Sequence, residues 1–553
     1  MRTFKLSFLV ILGVLLTSFA QVSQAKKAAT ETATTVTGVN PLTYTDIPDP
    51  DIIRVDDTYY MVSTTMYFCP GAPIMKSKDL VHWELVNYVY DYLNDDDVYN
   101  LRNGRNAYGK GQWAASLRYQ DGIFYCLFIA NDQGKTYVYK TKDIENGKWE
   151  RNVINRSFHD ASMLFEDGHL YLVWGNGEIR MIELKPDGSD ILPGSQEKLL
   201  FECPRQGYGL RAEGSHFYHI GDYYYVLTID WPSGAPRSAE IWRSKNIWGP
   251  YDEHKIVLQG TIGGRGDGCA QGPLVQTQNG DWYTIQFQDH GGVGRLSTIQ
   301  PVEWVDGWPI MGINTKPVEE CVVNLPAQGK DYVWACDEFK YKKNELQLVW
   351  QWNHKPDNSL WSVTERKGWL RLKSGYVTDN VMTARNTLTQ RCVGPRSTSE
   401  VLLDASGMKP GDRAGIVAFQ NNYLTIGVEV AEDGTKELVG QIVRPVRRGG
   451  YGRQPQAAPQ SPVNEIVRVP MTGNKVYLKI RYVFTPQADD TCGPDKAFMS
   501  YSFDGKNWTE PEQSLQMSFD LSYFTGYRTG LYNYSTTQTG GWADFDYFRQ
   551  SVY

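Results

Sequence analysis

The stretch Gly221-Asp222-Tyr223-Tyr224-Tyr225 joins an acidic turn to an aromatic strand, and five versions of it occur within the first 290 residues. The other four are Asp57-Thr58-Tyr59-Tyr60, Asp121-Gly122-Ile123-Phe124-Tyr125, Asp167-Gly168-His169-Leu170-Tyr171 and Gly280-Asp281-Trp282-Tyr283. Their acidic residues are 64, 46, 55 and 59 residues apart, close to the length of a four-stranded propeller blade. Five copies predict five blades around one axis.

A residue suited to chemistry or to sugar contact precedes each repeat by seven to ten positions. These residues are Asp49, Trp113, Asp160, Glu213 and Gln271. Because the first strand of each blade lines the central channel of a propeller, equivalent positions on five blades converge there. The repeat therefore predicts a site as well as a fold.

The composition favours an all-β protein and excludes some functions. Of 553 residues, 13% are aromatic and 52 are glycine, and helical periodicity is missing outside the first 20 residues. A net charge of −7 without a large basic cluster argues against a nucleic-acid partner. Abundant aromatic side chains suit carbohydrate binding, although most aromatic residues belong to protein cores.

The N-terminal sequence predicts export. Arg2 and Lys5 precede the apolar run from Leu6 to Ala20, so we expect residues 1–25 to be a signal peptide. The polar residues 26–38 are predicted to form a flexible tether. No later apolar stretch approaches the ~20 residues of a membrane span, so we expect a periplasmic or extracellular protein without one.

Two domains follow the tether. The aromatic repeats fade after residue 309, and alternating strands of another pattern begin at Asp337-Glu338-Phe339. We expect residues 39–325 to form the five-bladed β-propeller and residues 326–553 to form a β-sandwich. The segment from Gly449 to Pro462 is predicted to be a mobile loop. Eight scattered cysteines disfavour a zinc site and leave disulfide pairing open.

Three carboxylic acids at matching blade positions favour glycosidic bond cleavage. Asp49 lies between two prolines that fix its backbone, and small residues beside Glu213 leave room around its carboxyl group. Cleavage needs one carboxyl group to protonate the leaving oxygen and another to activate water or attack the sugar. The third acid, Asp160, can raise the pKa of the proton donor by like-charge repulsion. The alternative is that the acids only line the channel or bind an ion.

Several motifs together resemble glycoside hydrolase family 43, in the group that joins a five-bladed propeller to a C-terminal sandwich. In the propeller these motifs are Pro48-Asp49-Pro50, Pro70-Gly71-Ala72-Pro73-Ile74, Gln112-Trp113-Ala114, His159-Asp160-Ala161-Ser162, Glu213-Gly214-Ser215 and Gly294-Arg295. In the sandwich they span Ala384 to Arg391 and Trp542 to Phe548. The resemblance runs from about Asn40 to Tyr553 and implies a concanavalin-like sandwich.

The resemblance implies an inverting hydrolase and gives each acid a role. Asp49 matches the general base, Glu213 the general acid, and Asp160 the residue that tunes and orients Glu213. Inversion requires a water molecule between base and sugar, so the two carboxyl groups are expected ~6.5–9.5 Å apart. No cofactor is required for such a reaction.

The resemblance also indicates residues that contact the substrate. Trp113 and Ala114 match positions that wall the sugar pocket. Arg295 matches a substrate-contacting arginine, and it also suits a salt bridge to the buried acids. His290 is a candidate for the channel floor, although a lone histidine more often has a structural role.

Two departures from the family pattern bear on the substrate. β-Xylosidases of the family often have His and Phe where this chain has Gln271 and Met66. Gln bonds a hydroxyl group but carries no charge, and Met makes a softer wall. Ala270-Gln271-Gly272 and Asp289-His290-Gly291-Gly292 resemble a branch with α-L-arabinofuranosidase activity.

We therefore predict an exo-acting enzyme that releases terminal α-L-arabinofuranosyl residues from plant polysaccharides or oligosaccharides. The alternatives are a β-D-xylosidase or dual-activity enzyme, which would act on xylose-containing hemicellulose, and a non-catalytic sugar-binding propeller. In the sandwich, Asp337, Asp544 and Asp546 offer oxygen ligands for a structural calcium ion. The alternative for the sandwich is a packing domain whose loop closes one side of the pocket.

Overall fold

The computed structural model describes residues 34–264, 267–444 and 462–553, whose regular structure is almost entirely strand. The predicted signal peptide, residues 26–33 of the tether and residues 449–461 of the predicted loop lie outside these ranges. Strand β1 (Val36–Val39) starts within the segment predicted as a tether, so ordered structure begins earlier than expected. None of the helices in these ranges has the length and apolar character of a membrane span.

The five predicted blades are confirmed, and each is an antiparallel sheet of four strands. The first blade contains β2 (Asp51–Val55), β3 (Thr58–Val62), β5 (Gly71–Ser77) and β6 (Glu84–Tyr90), with β4 (Phe68–Cys69) branching off before β5. The second and third contain β7 (Gln112–Gln120), β8 (Ile123–Ala130), β9 (Lys135–Thr141), β10 (Glu150–Ile154), β11 (Ser162–Glu166), β12 (His169–Asn176), β13 (Glu178–Leu184) and β14 (Lys198–Glu202). The fourth and fifth contain β15 (Tyr208–Ile220), β16 (Tyr223–Pro232), β17 (Ser238–Ser244), β18 (Glu253–Gln259), β19 (Leu274–Gln276), β20 (Trp282–Asp289), β21 (Arg295–Val305) and β22 (Trp308–Met311).

Aromatic side chains fill the spaces between blades, as the repeats suggest. All five residues of β3 are buried, because both faces of a blade pack against neighbouring structure. Phe217 and Phe287 are similarly buried in the fourth and fifth blades. Trp83 lies beneath the outer turn of the first blade, where its indole N–H donates to the Leu80 carbonyl at 3.0 Å.

The start of the propeller is tied to its last blade. Strand β1 pairs with β23 (Glu320–Val323), and the chain then runs along β21. The Leu42 amide donates to the Ser297 carbonyl at 2.8 Å, and the Ile47 amide donates to the Arg295 carbonyl at 2.9 Å. This closure places the segment around Asp49 next to Arg295.

The C-terminal domain is a sandwich of two antiparallel sheets, as predicted. Its strands are β24 (Gln351–Asn353), β25 (Trp361–Ser362), β26 (Leu370–Lys373), β27 (Leu388–Arg391), β28 (Arg396–Asp404), β29 (Asp412–Phe419), β30 (Tyr423–Val430), β31 (Lys436–Val443), β32 (Val463–Pro470), β33 (Lys475–Val483), β34 (Lys496–Ser502), β35 (Ser514–Gln516), β36 (Arg528–Ser535) and β37 (Trp542–Val552). The sheet orders are β32-β31-β30-β29-β36-β27-β24-β4 and β25-β26-β37-β28-β33-β34-β35. Three short 3-10 turns, Asn131–Gln133, Gly291–Val293 and Val381–Thr383, are the helical elements of the described ranges.

The two domains share a sheet, because the propeller strand β4 is the edge strand of the eight-stranded sheet of the sandwich. Cys69 lies opposite Trp352, and Phe68 lies opposite Asn353. The Arg528 guanidinium packs over the Phe68 ring at 3.8 Å from its centroid. Backbone hydrogen bonds and side-chain packing therefore join the domains beside the channel.

Candidate active site

The channel residues are positioned by kinks at the start of the blades. Asp49, Asp160 and Gln271 stand two or three residues before β2, β11 and β19, with φ of 50°, 47° and 60°. This left-handed conformation costs roughly 1–3 kcal/mol for a residue other than glycine, so it marks positions that packing over-determines. Trp113 and Glu213 instead lie within β7 and β15, where the register of the strand pairing shifts. Such irregularities re-aim a side chain out of the regular alternation.

These residues converge on one pocket. The residues that line it are Asp49, Asp160, Glu213, Met66, Trp113, Ala114, Gln271 and Arg295, together with Thr64, Leu210, Ile229, Arg237, Phe287 and Phe524. Of the predicted contact residues, only His290 is not among the lining residues. The spacing of the aromatic repeats thus locates a real concavity.

Asp49 is a buried carboxylate held between two partners. Its Oδ1 is 2.7 Å from Nη1 of Arg295, and its Oδ2 accepts a hydrogen bond from the Thr64 hydroxyl at 2.7 Å. Burial raises the pKa of Asp49, while Arg295 and Thr64 oppose that shift. A carboxylate with fixed oxygens and a moderately basic character suits a general base.

Arg295 links Asp49 to a second buried acid. Its Nε donates to Oδ1 of Asp289 at 3.2 Å, and Nη1 of Arg237 lies 2.7 Å from the other Asp289 oxygen. Burial alone would raise the pKa of Asp289, but the two guanidinium groups outweigh it and lower the pKa. The Arg295 guanidinium also packs on the rings of Phe287 and Phe524, at 4.4 and 5.6 Å from their centroids.

Asp160 fixes the backbone that carries Glu213. Its Oδ2 accepts the Gly214 amide at 3.1 Å, and its carbonyl accepts the Ser215 amide at 3.3 Å. Burial raises the pKa of Asp160, His159 opposes that shift, and Glu213 adds to it. Gly214 has φ of 63°, and a Cβ there would lie 2.7 Å from the Gln271 side chain, so glycine is required beside the acid.

Glu213 is the most accessible of the three acids. Its Oε2 lies 3.0 Å from Nε2 of His159 and accepts the Asn176 amide N–H at 2.5 Å. His159 Nε2 is also 3.6 Å from Oδ2 of Asp160. Asp160 and Glu213 together raise the pKa of His159 to about 9, against the effect of its burial. His159, Asp160 and Glu213 therefore form one cluster, whose two acids line the same pocket as Asp49.

The sandwich completes the pocket wall. Phe524 has φ of 56° and packs against Trp113 with ring centroids 5.1 Å apart. Asp46 accepts the Arg295 amide at 2.8 Å with one oxygen and the Gly526 amide at 2.9 Å with the other. The sandwich loop is thus fixed to the backbone of the residue that binds Asp49. This geometry agrees with the second interpretation of the sandwich, a packing domain whose loop closes one side of the pocket.

Four residues in or beside the pocket were not predicted from the sequence: His159, Asp289, Arg237 and Phe524. His159 adjoins Asp160 in the sequence and Asp289 adjoins His290, so both belong to motifs that contain predicted site residues. Proximity in sequence to those residues could have indicated both. Arg237 lies in the loop between β16 and β17 and carried no motif. Phe524 comes from the other domain, and no local pattern marks it.

His290 does not reach the pocket, which corrects its prediction as a substrate contact. It is buried behind the turn Gly291–Val293, with its Nε2 2.7 Å from the Gln288 amide nitrogen and its ring 6.2 Å from Tyr44. Its position is set by the approach of the sandwich to this turn, where the Tyr527 amide donates to the Gly292 carbonyl. The structural alternative holds for this histidine.

In the part of the chain that the structure describes, Asp337, Asp544 and Asp546, which were predicted to bind calcium, do not bring their carboxyl oxygens within 4.8 Å of one another. The Asp544 oxygens accept hydrogen bonds from Arg366 and Arg371, and the Asp337 oxygens accept from the Phe339 amide, the Trp350 indole and the Tyr341 hydroxyl. These partners already neutralise or satisfy both carboxylates.

In the described ranges, His159, Asp160 and Glu213 form the one group of three histidine, cysteine or carboxylate side chains whose ligand atoms all lie within 4.8 Å of one another. Within this group, His159 Nε2 and Glu213 Oε2 are 3.0 Å apart, a distance over which a proton can pass. All eight cysteines are free thiols, and six of them are buried.

Comparison with known proteins agrees with this geometry. The sequence profile for Glycosyl hydrolases family 43 matches residues 39–309, and that for the Beta xylosidase C-terminal Concanavalin A-like domain matches residues 336–551. A beta-xylosidase of Formosa agariphila is 30% identical over 93% of this chain and 90% of its own.

Two further relatives differ in the activity that their names state. A non-reducing end alpha-L-arabinofuranosidase of Bacteroides ovatus is 30% identical over 69% of this chain and 72% of its own. The solved structure of a bifunctional GH43-CE protein of Bacteroides eggerthii is 41% identical, with a TM-score of 0.83 over 94% of this chain. This chain spans 64% of that longer protein.

Proposed function

Because the chain belongs to glycosyl hydrolases family 43, whose enzymes are inverting glycosidases that need no cofactor, we propose that it removes terminal pentose units from plant polysaccharides or oligosaccharides. The observation that carries this proposal is the convergence of Asp49, Asp160 and Glu213 with Arg295 on one pocket. Membership of a catalytic family, with all three acids in place, argues against a purely sugar-binding propeller.

The geometry supplies a role for each acid. Asp49, whose oxygens are fixed by Arg295 and Thr64, takes a proton from the attacking water. Glu213 gives a proton to the leaving oxygen on the opposite side of the sugar. Asp160 touches no leaving group in this scheme, and it orients Glu213 through the Gly214 amide.

An exo mode of action follows from the enclosure of the pocket. Phe524 of the sandwich packs on Trp113 of the second blade, and Phe287 and Arg237 from the last two blades line the same pocket. A chain that continued in both directions would need an open groove instead. We therefore propose that one terminal sugar enters and that the remaining chain stays outside.

Two substrates compete for this pocket. Gln271, buried beside Gly214 near the acid, offers neutral hydrogen-bonding groups and favours an α-L-arabinofuranoside. The Formosa agariphila relative aligns along most of both chains and is named a beta-xylosidase. That similarity supports a β-D-xyloside as the substrate of this chain. An enzyme that accepts both sugars is consistent with each observation.

We also propose that the protein works outside the cytoplasm. The basic start and apolar run of residues 1–25 have the form of an export signal, and polymeric plant substrates are met outside the cell. Expression with the native N-terminus, followed by fractionation and N-terminal sequencing of the product, tests this point. Retention of residues 1–25 on a cytoplasmic product would contradict it.

The activity is tested by turnover of aryl α-L-arabinofuranoside and aryl β-D-xyloside by the wild-type protein and Glu213→Ala. We expect the arabinofuranoside to have the larger kcat/KM and the variant to lose roughly 10²–10⁴-fold on a substrate with a poor leaving group. Proton NMR of the first-formed product should show the inverted anomer. A faster xyloside reaction would reverse the preference, and absence of turnover on both would refute the pentosidase proposal.

A further inference from the structure

His159 contacts the proposed acid and is itself partly exposed to solvent, and the three-acid scheme leaves it without a role. Its Nε2 is 3.0 Å from Oε2 of Glu213, and its side chain is 28% exposed, against 6% for Asp160. Asn176 donates to the same Glu213 oxygen. When the imidazole is protonated it donates to this oxygen as well, and two donors on one oxygen suit the carboxylate form of Glu213, which is the form left after it has given up its proton.

The charges around His159 are almost all negative. Asp160 adjoins it in the chain, Glu213 faces it from β15, and Asp49 faces it from the start of the first blade. Arg295 is the cation on the far side of these acids, next to Asp49. Trp113 of β7 packs near the imidazole with ring centroids 6.1 Å apart and adds no charge. This surrounding keeps a proton on the imidazole at neutral pH.

We propose that His159 stores the proton that recharges Glu213 after each turnover. This inference rests on the proposed glycosidase function. During cleavage the Glu213 O–H bond breaks and its proton goes to the leaving oxygen, while Asp49 takes a proton from water. The His159 Nε2–H bond then breaks as its proton passes to Glu213 Oε2. The imidazole regains a proton from solvent and Asp49 loses one to solvent, so the enzyme returns to its starting charge.

A purely structural histidine would behave differently from a proton store. Gln retains an N–H donor for the Glu213 oxygen but cannot be charged, so His159→Gln separates the two roles. With a poor leaving group, such as an unactivated disaccharide, we expect kcat to fall roughly 10²-fold. With an activated aryl leaving group, which needs no acid, we expect a change of less than about tenfold. Added imidazole should restore part of the lost rate.

The matched control is His219→Gln. His219 also pairs with a carboxylate, Glu166, at 2.8 Å, but it lies away from the pocket residues. We expect it to leave both reactions at the wild-type rate. Equal losses on the two substrates for His159→Gln, or no loss on either one, would overturn the proposal.

A substrate-free measurement separates this inference from the proposed function. NMR titration of the histidine ring nitrogens should find His159 charged at pH 7 in the wild type, and its pKa should fall in Asp160→Asn, which removes the adjoining negative charge. A neutral His159 at pH 7 would overturn proton storage even in an active enzyme. A charged His159 in a protein that cleaves neither pentoside would keep the stored proton and refute the substrate assignment instead.

Discussion

Replacement of Arg295 by Met tests how the base is kept ionised. Arg295 holds Asp49 at 2.7 Å and Asp289 at 3.2 Å, and Asp289 keeps Arg237 at 2.7 Å when Arg295 is lost. Asp49 therefore loses its only ion-pair partner among the residues that line the pocket. Met preserves much of the packing volume on Phe287 and Phe524, so the change is mainly one of charge.

The magnitude follows from the distance. Two charges with centres ~4 Å apart attract by about 4 kcal/mol at an effective dielectric constant of 20, which corresponds to roughly 3 pK units. Thr64 remains bonded to Asp49, and water entering the space will screen the charge. We therefore expect the pKa of Asp49 to rise by at least ~1 unit. Leaving a buried acid without its partner should also cost about 3–5 kcal/mol in the free energy of unfolding.

The assay is the pH dependence of kcat/KM. A base must be ionised, so activity rises through its pKa, and a raised pKa moves this rising limb to higher pH. Arg396→Met, which removes ion pairs to Asp489 and Asp490 far from the pocket residues, is the control and should leave the limb in place. If Arg295→Met lowers the plateau but leaves the limb where it was, Arg295 does not set the charge state of Asp49 and the assignment fails.

Three other changes test separate parts of the structure. Phe524→Ala should raise KM by roughly tenfold while the propeller stays folded, because a ring that closes the pocket is lost; an unchanged KM in steady-state assays would contradict closure by the sandwich. Gly214→Ala should lower kcat by more than about tenfold without preventing folding, as checked by circular dichroism, and a fully active variant would disprove the tight packing on Gln271. Burial and the neighbouring Glu240 raise the pKa of Asp230 from 3.8 to about 8, so the free energy of unfolding should fall as the pH rises across that range. The melting temperature of Asp230→Asn should fall less over the same pH range. Equal pH dependence of the melting temperature in the variant and the wild type would refute the shift.

The channel residues can be predicted from the sequence because each lies a few positions before a turn that is recognisable in the sequence. Asp49, Asp160 and Gln271 each occupy the kink before a first strand, and the aromatic turn that marks the strand lies a few residues away. Counting back seven to ten positions from that turn therefore identifies these three residues, and it also identifies Glu213 within its longer strand.

Contacts between residues that are far apart in the sequence have no comparable local pattern. The Gly526 amide reaches an Asp46 oxygen across 480 residues, and Phe524 enters the pocket through that same approach. His290 illustrates the opposite error, since its local motif suggested a channel residue, whereas the side chain is buried beside Gln288 and Tyr44. Asp544 shows that an acidic motif does not reveal its partners, because Arg371 comes from β26 and Arg366 from the turn before it.

The strand Phe68–Cys69 has a consequence for how this enzyme can be divided or recombined. It belongs to the propeller in sequence but closes the edge of the sandwich sheet, only two residues beyond the pocket residue Met66. Cutting the chain between the domains would expose a sheet edge and leave an unfinished pocket, so neither half is a portable part. Chimaeras within the family should therefore exchange the two domains as a pair, and inherited changes in one domain should be matched by changes in the other.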